Sequence, residues 1–253
     1  MKGSEKLDVL AIGAHPDDIE ICCGGTVCLL VEQGYRVGIV DLTRGELGSR
    51  GSVDEREQET KRATQIMGAQ VRVNLGVPDG DIANDKPNQE RLIRVIRAYT
   101  PDILLVGAPD DRHPDHPRAT DLSISAAFYA GLVKVETSMD GKPQAPWRPR
   151  HIMHYMQGVS FEPDFVVDVS RVWTRRMDAV RAYVSQVHDS DYKEKSGESE
   201  TFISDPGFVK YIEARARSLG YRTGAEYGEG FRYRQGPFGV DDLVATFGVK
   251  GRA

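Results

Sequence analysis

Two short stretches hold residue types able to do chemistry together: Ala14-His15-Pro16-Asp17-Asp18 and Asp111-Arg112-His113-Pro114-Asp115-His116. Each sets imidazole and carboxylate around a proline, and each closely follows an apolar run, residues 7–13 and 103–107. A spacing of three in a tight turn can bring His15 and Asp18 to one side while Asp17 points elsewhere. One histidine and one aspartate do not close a zinc site. Catalytic zinc typically takes three protein ligands plus water, so the third is expected from the second stretch. His113 and His116 are both candidates; His116, at the far end of its turn, would coordinate while His113 stays free to act on a substrate. Asp115, between them, could fix a ring tautomer. Asp17 then suits a general base, taking a proton from a water whose pKa a metal has lowered. The plainer account is that Asp17 and Asp18 cap the next helix. One aspartate suffices for that, and two with a histidine at a strand end exceed it.

The elements that must position these groups are legible in the apolar pattern. Residues 7–13 read as a short buried parallel strand ending at glycine. A helix is expected from about Cys22 to Gln33, with Val27, Leu30 and Val31 on its inner face and Gly34 closing it. Residues 35–43 form a second strand, which opens into a glycine-rich loop over 44–51. Ser52 and Glu55 have capping-box spacing for the following helix. Its inward face runs through Thr60, Ala63 and Met67 and, one turn earlier, Arg56. A cation in a helix's first turn is disfavoured by the dipole, so Arg56 is expected to have an anion nearby, the duller version being Asp54 or Glu57. Residues 71–75 are a third strand, 87–99 a helix and 102–107 a fourth strand, with Pro117 opening a helix to about residue 132. Strand and helix alternate with short connections, which predicts an α/β, Rossmann-like three-layer αβα fold with a mostly parallel sheet. Ligands in such sheets bind beyond the carboxyl ends of the strands, where both His-Pro-Asp turns, the 44–51 loop and Arg56 all fall.

The remainder is less regular. Residues 137–149 read as a loop, 151–157 and 165–169 as two strands, and 172–187 as a helix. Residues 189–205 are polar and aperiodic, as in a lid, a binding loop or disorder. Residues 208–219 form a last helix, and 220–253 a packing tail or oligomer contact. The whole is expected to be one domain, with a metal-site core over 1–136 and additional elements over 137–253. A net charge of −5 gives no basic footprint for nucleic acid. Three cysteines, Cys22, Cys23 and Cys28, follow no disulfide pattern and suit packing in a reduced compartment. No stretch reaches the ~18 apolar residues of a membrane span, and the amino terminus does not read as a signal peptide, so a cytoplasmic protein is expected. The first turn lacks the glycines of a dinucleotide fingerprint and puts acid where a pyrophosphate would sit.

Ala14-His15-Pro16-Asp17-Asp18-Ile19-Glu20 with Asp111-Arg112-His113-Pro114-Asp115-His116 resembles the LmbE-like (PIG-L) family of zinc-dependent N-acetylglucosamine deacetylases. Leu42-Thr43-Arg44-Gly45-Glu46-Leu47, Arg56, Glu213-Ala214-Arg215 and Gly228-Glu229-Gly230-Phe231 resemble the branch that deacetylates N-acetylglucosaminyl malate in bacillithiol biosynthesis. The resemblance implies His15, Asp18 and His116 as ligands of Zn2+, with Fe2+ or another divalent metal as alternatives. It implies Asp17 as general base, and His113 as the group that stabilises the tetrahedral intermediate or protonates the leaving amine, with Asp115 orienting it. It implies Arg56 as a substrate-binding residue. Relatives of this kind carry a tyrosine near Phe208 that reaches the active site, so Tyr192 or Tyr211 substitutes here, or zinc and His113 suffice. A small-molecule N-acetylated amino sugar is the expected partner, without nucleic acid or membrane, and the protein is expected to be a homo-oligomer, trimer or hexamer. Arg44, Arg50, Arg56 and Arg112 crowd the proposed site of an acidic protein; Arg44, Arg56 and Arg112 are the candidate substrate contacts, suited to a carboxylate on the aglycone. Bracing of loops by Asp79, Asp81, Asp110 or Glu46 is the alternative use of those arginines. Other chemistries compete: deacetylation of other N-acetylglucosamine sugars or chitooligosaccharides, a non-haem iron oxygenase, a metal phosphoesterase, or a non-catalytic metal- or sugar-binding protein.

Overall fold

In a computed structural model the described residues are 6–237, 239 and 240. The first half alternates strictly: β1 (Val9–Gly13), α1 (Asp18–Glu32), β2 (Val37–Asp41), α2 (Val53–Met67) and β3 (Val71–Asn74). Next come α3 (Lys86–Tyr99), β4 (Ile103–Val106) and α4 (Asp115–Ala130). A small hairpin, β5 (Ser138–Met139) and β6 (Lys142–Pro143), leads to β7 (His151–Tyr155) and β8 (Phe165–Asp168). Helices α5 (Trp173–Arg181), α6 (Ser190–Ser196) and α7 (Pro206–Tyr221) precede the last strand, β9 (Gly228–Tyr233).

Seven strands form one sheet in the order β3-β2-β1-β4-β7-β9-β8, parallel throughout except for β9, which runs antiparallel to both neighbours. The period-2 alternation of β1 divides its side chains between two cores. Val9 and Ala11 face the layer of α1 and α5 with Met67 and Tyr183; Leu10 and Ile12 face that of α3 and α4 with Leu92, Ile96 and Leu122. Leu10, fully buried, would cost roughly 2–5 kcal/mol if cut to alanine. With both faces covered, only the strand ends are open to a ligand. The order reverses between β1 and β4, and their carboxyl ends carry the two His-Pro-Asp turns.

Several elements depart from the sequence pattern. Helix α1 starts at Asp18, not Cys22, and is broken by non-helical Cys23 (φ −144°, ψ 21°). Glu229 explains the break: its carboxylate accepts hydrogen bonds from the amides of Gly25 (2.9 Å) and Thr26 (2.7 Å), which the break exposes. Gly25 admits it, since an added Cβ would lie 2.8 Å from Glu229 Oε1. Likewise α4 begins at Asp115, so Asp115 and His116 lie in its first turn. The helix expected over 172–187 is a 3-10 turn (Ser170–Val172) followed by α5, which ends at Arg181. The polar stretch 189–205 contains α6, capped by Asp189. The expected tail supplies β9, whose Gly228 lets it lie against β8, a Cβ there meeting Val166 Cγ1 at 2.5 Å. Residues 241–253 of that tail lie outside the described residues. No helix among the described residues is long and apolar enough to cross a membrane.

Candidate active site

The chain leaves β1 at Gly13, where an added Cβ would approach Asp18 Cβ to 3.0 Å, so glycine lets the first turn of α1 fold back on the strand end. Asp18 Oδ2 accepts a hydrogen bond from the His15 amide (2.9 Å), which closes the turn. Asp17 precedes the helix in a left-handed conformation (φ 116°) and makes no side-chain cap. Capping therefore does not account for it. Its strain and burial are the kind of cost that collects at functional sites.

Helix α4 brings the second motif to the same point. His116 Nε2 lies 3.2 Å from Asp18 Oδ1 and His15 Nδ1 3.7 Å from Asp18 Oδ2. The ring centroid of His113 is 4.8 Å from that of His15 and 4.9 Å from that of His116. Metal–ligand bonds of 2.0–2.1 Å put neighbouring donors of a tetrahedral site about 3.4 Å apart, so each histidine contact with Asp18 has ligand spacing, one to either Asp18 oxygen; His15, His113 and His116, and separately His15, Asp79 and Asp115, also bring three donor atoms within 4.8 Å of one another. The far ring nitrogens are engaged by carboxylates: His15 Nε2 is 3.0 Å from Asp79 Oδ1, and His116 Nδ1 2.8 Å from Asp111 Oδ1. That is the outer arrangement metal-binding histidines generally have. Burial alone would lower the pKa of His116, but Asp18 and Asp111 outweigh it and raise it to about 9. Burial acts the same way on His15, and Asp115, Asp18 and Asp79 raise it well above its usual range. Both shifts reflect an anionic cage that favours positive charge. His113 differs: burial and its two histidine neighbours lower its pKa, which favours the neutral ring.

Asp17 faces the other side of the site. Burial, opposed by Arg56 and reinforced by Asp18, pushes its pKa up to about 7. Arg56 is buried, with Nη2 3.9 Å from Asp17 Oδ2, so its anionic partner is Asp17 and not Asp54 or Glu57. The capping box of Ser52 and Glu55 is present and fixes the helix start that carries it. The 44–51 loop wraps the guanidinium: Gly45 has φ +67°, and a Cβ there would lie 2.0 Å from Arg56 Nη1. These groups line a cavity of about 380 Å³. Its rim carries exposed Leu47, Phe202 and Tyr211.

Not every expected residue converges. Arg44 is exposed and does not line the cavity. Arg112 does line it, with its guanidinium 3.9 Å over the Phe202 ring. Arg50 is buried and bonds Ser185 O (2.8 Å). The Asp115 carboxylate turns from His113 to the Gly80 amide (2.8 Å) and to His15 Nε2 (3.5 Å). What Asp115 offers His113 is its backbone N–H, 3.3 Å from Nδ1. Phe208 and Tyr211 line the cavity, whereas Tyr192 bonds Glu198 (3.1 Å) and does not. Sequence reasoning does not single out Asp79 and Asp111 as histidine partners. Asp79 does fall in a turn just beyond a strand's carboxyl end, the one signal that points to it. Thr201, Ile203 and Arg215, from segments remote in sequence, complete the wall.

A doubly wound sheet with a His/Asp cluster at its switch point places the chain among α/β proteins with a metal-fitted strand-end site. Residues 10–127 match the model of the PIG-L family, described as GlcNAc-PI de-N-acetylase. Diacetylchitobiose deacetylase of Thermococcus kodakarensis is 31% identical over 244 residues, covering 91% of this chain and 84% of that protein. The 4-oxalmesaconate hydratase of Pseudomonas putida is 28% identical, covering 72% and 75%. Among solved structures, the conserved protein TT1542 of Thermus thermophilus superposes with a TM-score of 0.80 at 34% identity, covering 93% of this chain and 98% of that one. The chain belongs to the PIG-L family of deacetylases.

Proposed function

We propose that this protein is a metal-dependent amide hydrolase that removes the acetyl group from an N-acetylglucosamine derivative, releasing acetate and the free amine. The observation that carries this reading is one constellation: three donors suited to a divalent cation, with a buried carboxylate on one side and a neutral imidazole on the other. A divalent cation held by His15, Asp18 and His116 would polarise the acetyl carbonyl and acidify a water. Asp17, with a pKa near 7, takes the proton of the attacking water. His113 accepts the Asp115 amide at Nδ1, which leaves its proton on Nε2, placed to hydrogen-bond the oxyanion of the tetrahedral intermediate, while Asp17 hands the proton taken from water on to the departing amine. Asp115 orients His113 through its backbone and His15 through its carboxylate. Acetate release with metal analysis tests this. A hydratase, the reading the Pseudomonas putida relative offers, adds water without releasing acetate.

For the aglycone we propose a carboxylate, as in N-acetylglucosaminyl malate, held by Arg56. Its support is a buried guanidinium on the cavity wall with one carboxylate neighbour at 3.9 Å, geometry that leaves donors for a second anion. The alternative is an uncharged chitooligosaccharide. The test compares kcat/KM for the malate conjugate and for N,N'-diacetylchitobiose in wild type and Arg56→Ala. Removing a charge-assisted hydrogen bond should cost ~1.5–3 kcal/mol for the acidic substrate alone. An equal effect on both would tie Arg56 to Asp17 and remove the case for carboxylate recognition.

A further inference from the structure

The break in α1 separates the turn that carries Asp18 from the body of the helix, and two buried charges fill it. Arg176, from α5, and Glu229, from β9, are 2% and 4% exposed and form an ion pair at 3.5 Å. Each serves one side of the break. The Arg176 guanidinium donates from Nε to the Glu20 carbonyl (3.2 Å) and from Nη2 to that of Ile21. The Glu229 carboxylate accepts from the Gly25 and Thr26 amides and from Thr26 Oγ1 (2.7 Å). In an unbroken helix the Gly25 amide would donate to the Ile21 carbonyl. Here that donor goes to Glu229 and that acceptor to Arg176, so the ion pair stands between them.

Stability is a weak reason to keep such a pair. Desolvating two charges cancels most of their attraction, and apolar side chains of similar volume often serve as well. The backbone does not need it either, because helical angles at Cys23 would let the ladder satisfy the same amides and carbonyls. What the pair supplies is direction. Residues 18–22 make little more than one turn, and non-helical Cys23 uncouples that turn from residues 24–32. On the site side the turn is tied by the His15 amide to Asp18 Oδ2; on the far side Arg176 holds two of its carbonyls. Ile21 and Cys22 line the cavity, and the two oxygens of Asp18 face His15 and His116. If the ladder closed across Cys23, the turn would rotate about the helix axis and carry Asp18 with it.

In the proposed metal site, on which this inference rests, that rotation would part Asp18 from the histidines that coordinate with it. We propose that Arg176 and Glu229 are positioning residues that keep α1 broken and so hold Asp18 at ligand spacing from His15 and His116. Neither lines the catalytic cavity. They act through the backbone of Glu20, Ile21, Gly25 and Thr26, and the pair thereby sets the affinity for a divalent cation.

Two variants disturb the pair in different ways. Arg176→Met with Glu229→Leu removes both charges together. Gly25→Ala retains them, but its methyl group would lie 2.8 Å from Glu229 Oε1 and displace the carboxylate. Read by competition with a chelating dye, the Zn2+ affinity of the folded protein should fall ~10–100-fold in both. Leu10→Ala, which destabilises through the core, should keep wild-type affinity and so separates positioning from loss of stability. A pair kept for stability would show the reverse: a lower urea midpoint in the double variant with affinity unchanged. Wild-type affinity in either folded variant would overturn the inference, as would equal weakening in Leu10→Ala. If neither variant folds, the pair is a folding determinant and the assignment falls. If wild type binds no Zn2+, or Asp18→Asn binds it normally, the ligand assignment itself fails, an outcome distinct from failure of the pair.

Discussion

Replacing Asp17 by asparagine should abolish most turnover and, at neutral to alkaline pH, stabilise the fold. The backbone of residue 17 sits at φ 116°, and asparagine is nearly isosteric with aspartate and, like it, enriched among the non-glycine residues at positive φ, so the turn should survive. Asparagine cannot accept a proton, and losing a general base costs on the order of 10²–10⁴ in rate. The stability effect follows from the pKa, raised by burial from 3.8 to about 7. In the folded, metal-free protein this carboxyl holds its proton through a pH range in which the unfolded chain has released it. The folded state therefore binds more protons, and wild-type stability declines as pH climbs from about 4 to 7. A shift of about three units at 1.36 kcal/mol each sets a ceiling of about 4 kcal/mol above pH 7. Asparagine carries no such penalty, so metal-free Asp17→Asn should exceed wild type in stability at pH 8, by up to that amount, and match it near pH 4. Urea unfolding of both proteins at the two pH values measures the difference, and acetate release with metal analysis measures the rate. Retention of more than about a tenth of wild-type turnover, or a variant less stable than wild type at pH 8, would refute the reasoning. Loss of metal in Asp17→Asn, with Asp18→Asn retaining it, would reverse the roles of the pair.

His116→Ala should lose metal, whereas His113→Ala should keep it and turn over slowly; equal metal loss would make His113 a ligand, which its place among the three clustered histidines also permits. Asp111→Asn, which weakens the acceptor 2.8 Å from His116 Nδ1, should lower metal affinity ~10–100-fold, as read by competition with a chelating dye. Gly45→Ala puts a methyl group 2.0 Å from Arg56 Nη1 at a φ of +67°, so it should lower kcat/KM by displacing Arg56 and destabilise the fold by ~1–2 kcal/mol. Wild-type kinetics in that variant would show that Arg56 is not held by the loop.

The local signals in the chain suffice for the first half of the molecule. Apolar runs ending at Gly13 and Gly107, the Ser52/Glu55 capping box and the alternation of strand and helix all act over a few residues. They lead to a parallel sheet and to a site at the ends of β1 and β4. That His15, Asp18 and His116 meet is legible for the same reason, since each motif is short and the strand order that joins them follows from the alternation. Tertiary structure decides what depends on residues distant in sequence. Glu229 enters the break in α1 from more than 200 positions away, and the glycine-rich segment around it, unreadable as a strand by itself, pairs because β7 and β8 present it two edges. Asp79 and Asp111 become histidine partners because loops beyond β3 and β4 fold over the site. The Asp115 carboxylate faces His15, not its sequence neighbour His113, because the first turn of α4 points it toward β1. Arg44 and Arg56 belong to neighbouring stretches, yet only Arg56 reaches the cavity, because the helix buries one face and the loop tip remains in solvent. Spacing along a chain determines which groups can share a turn; which of them share a cavity is settled by how the layers pack.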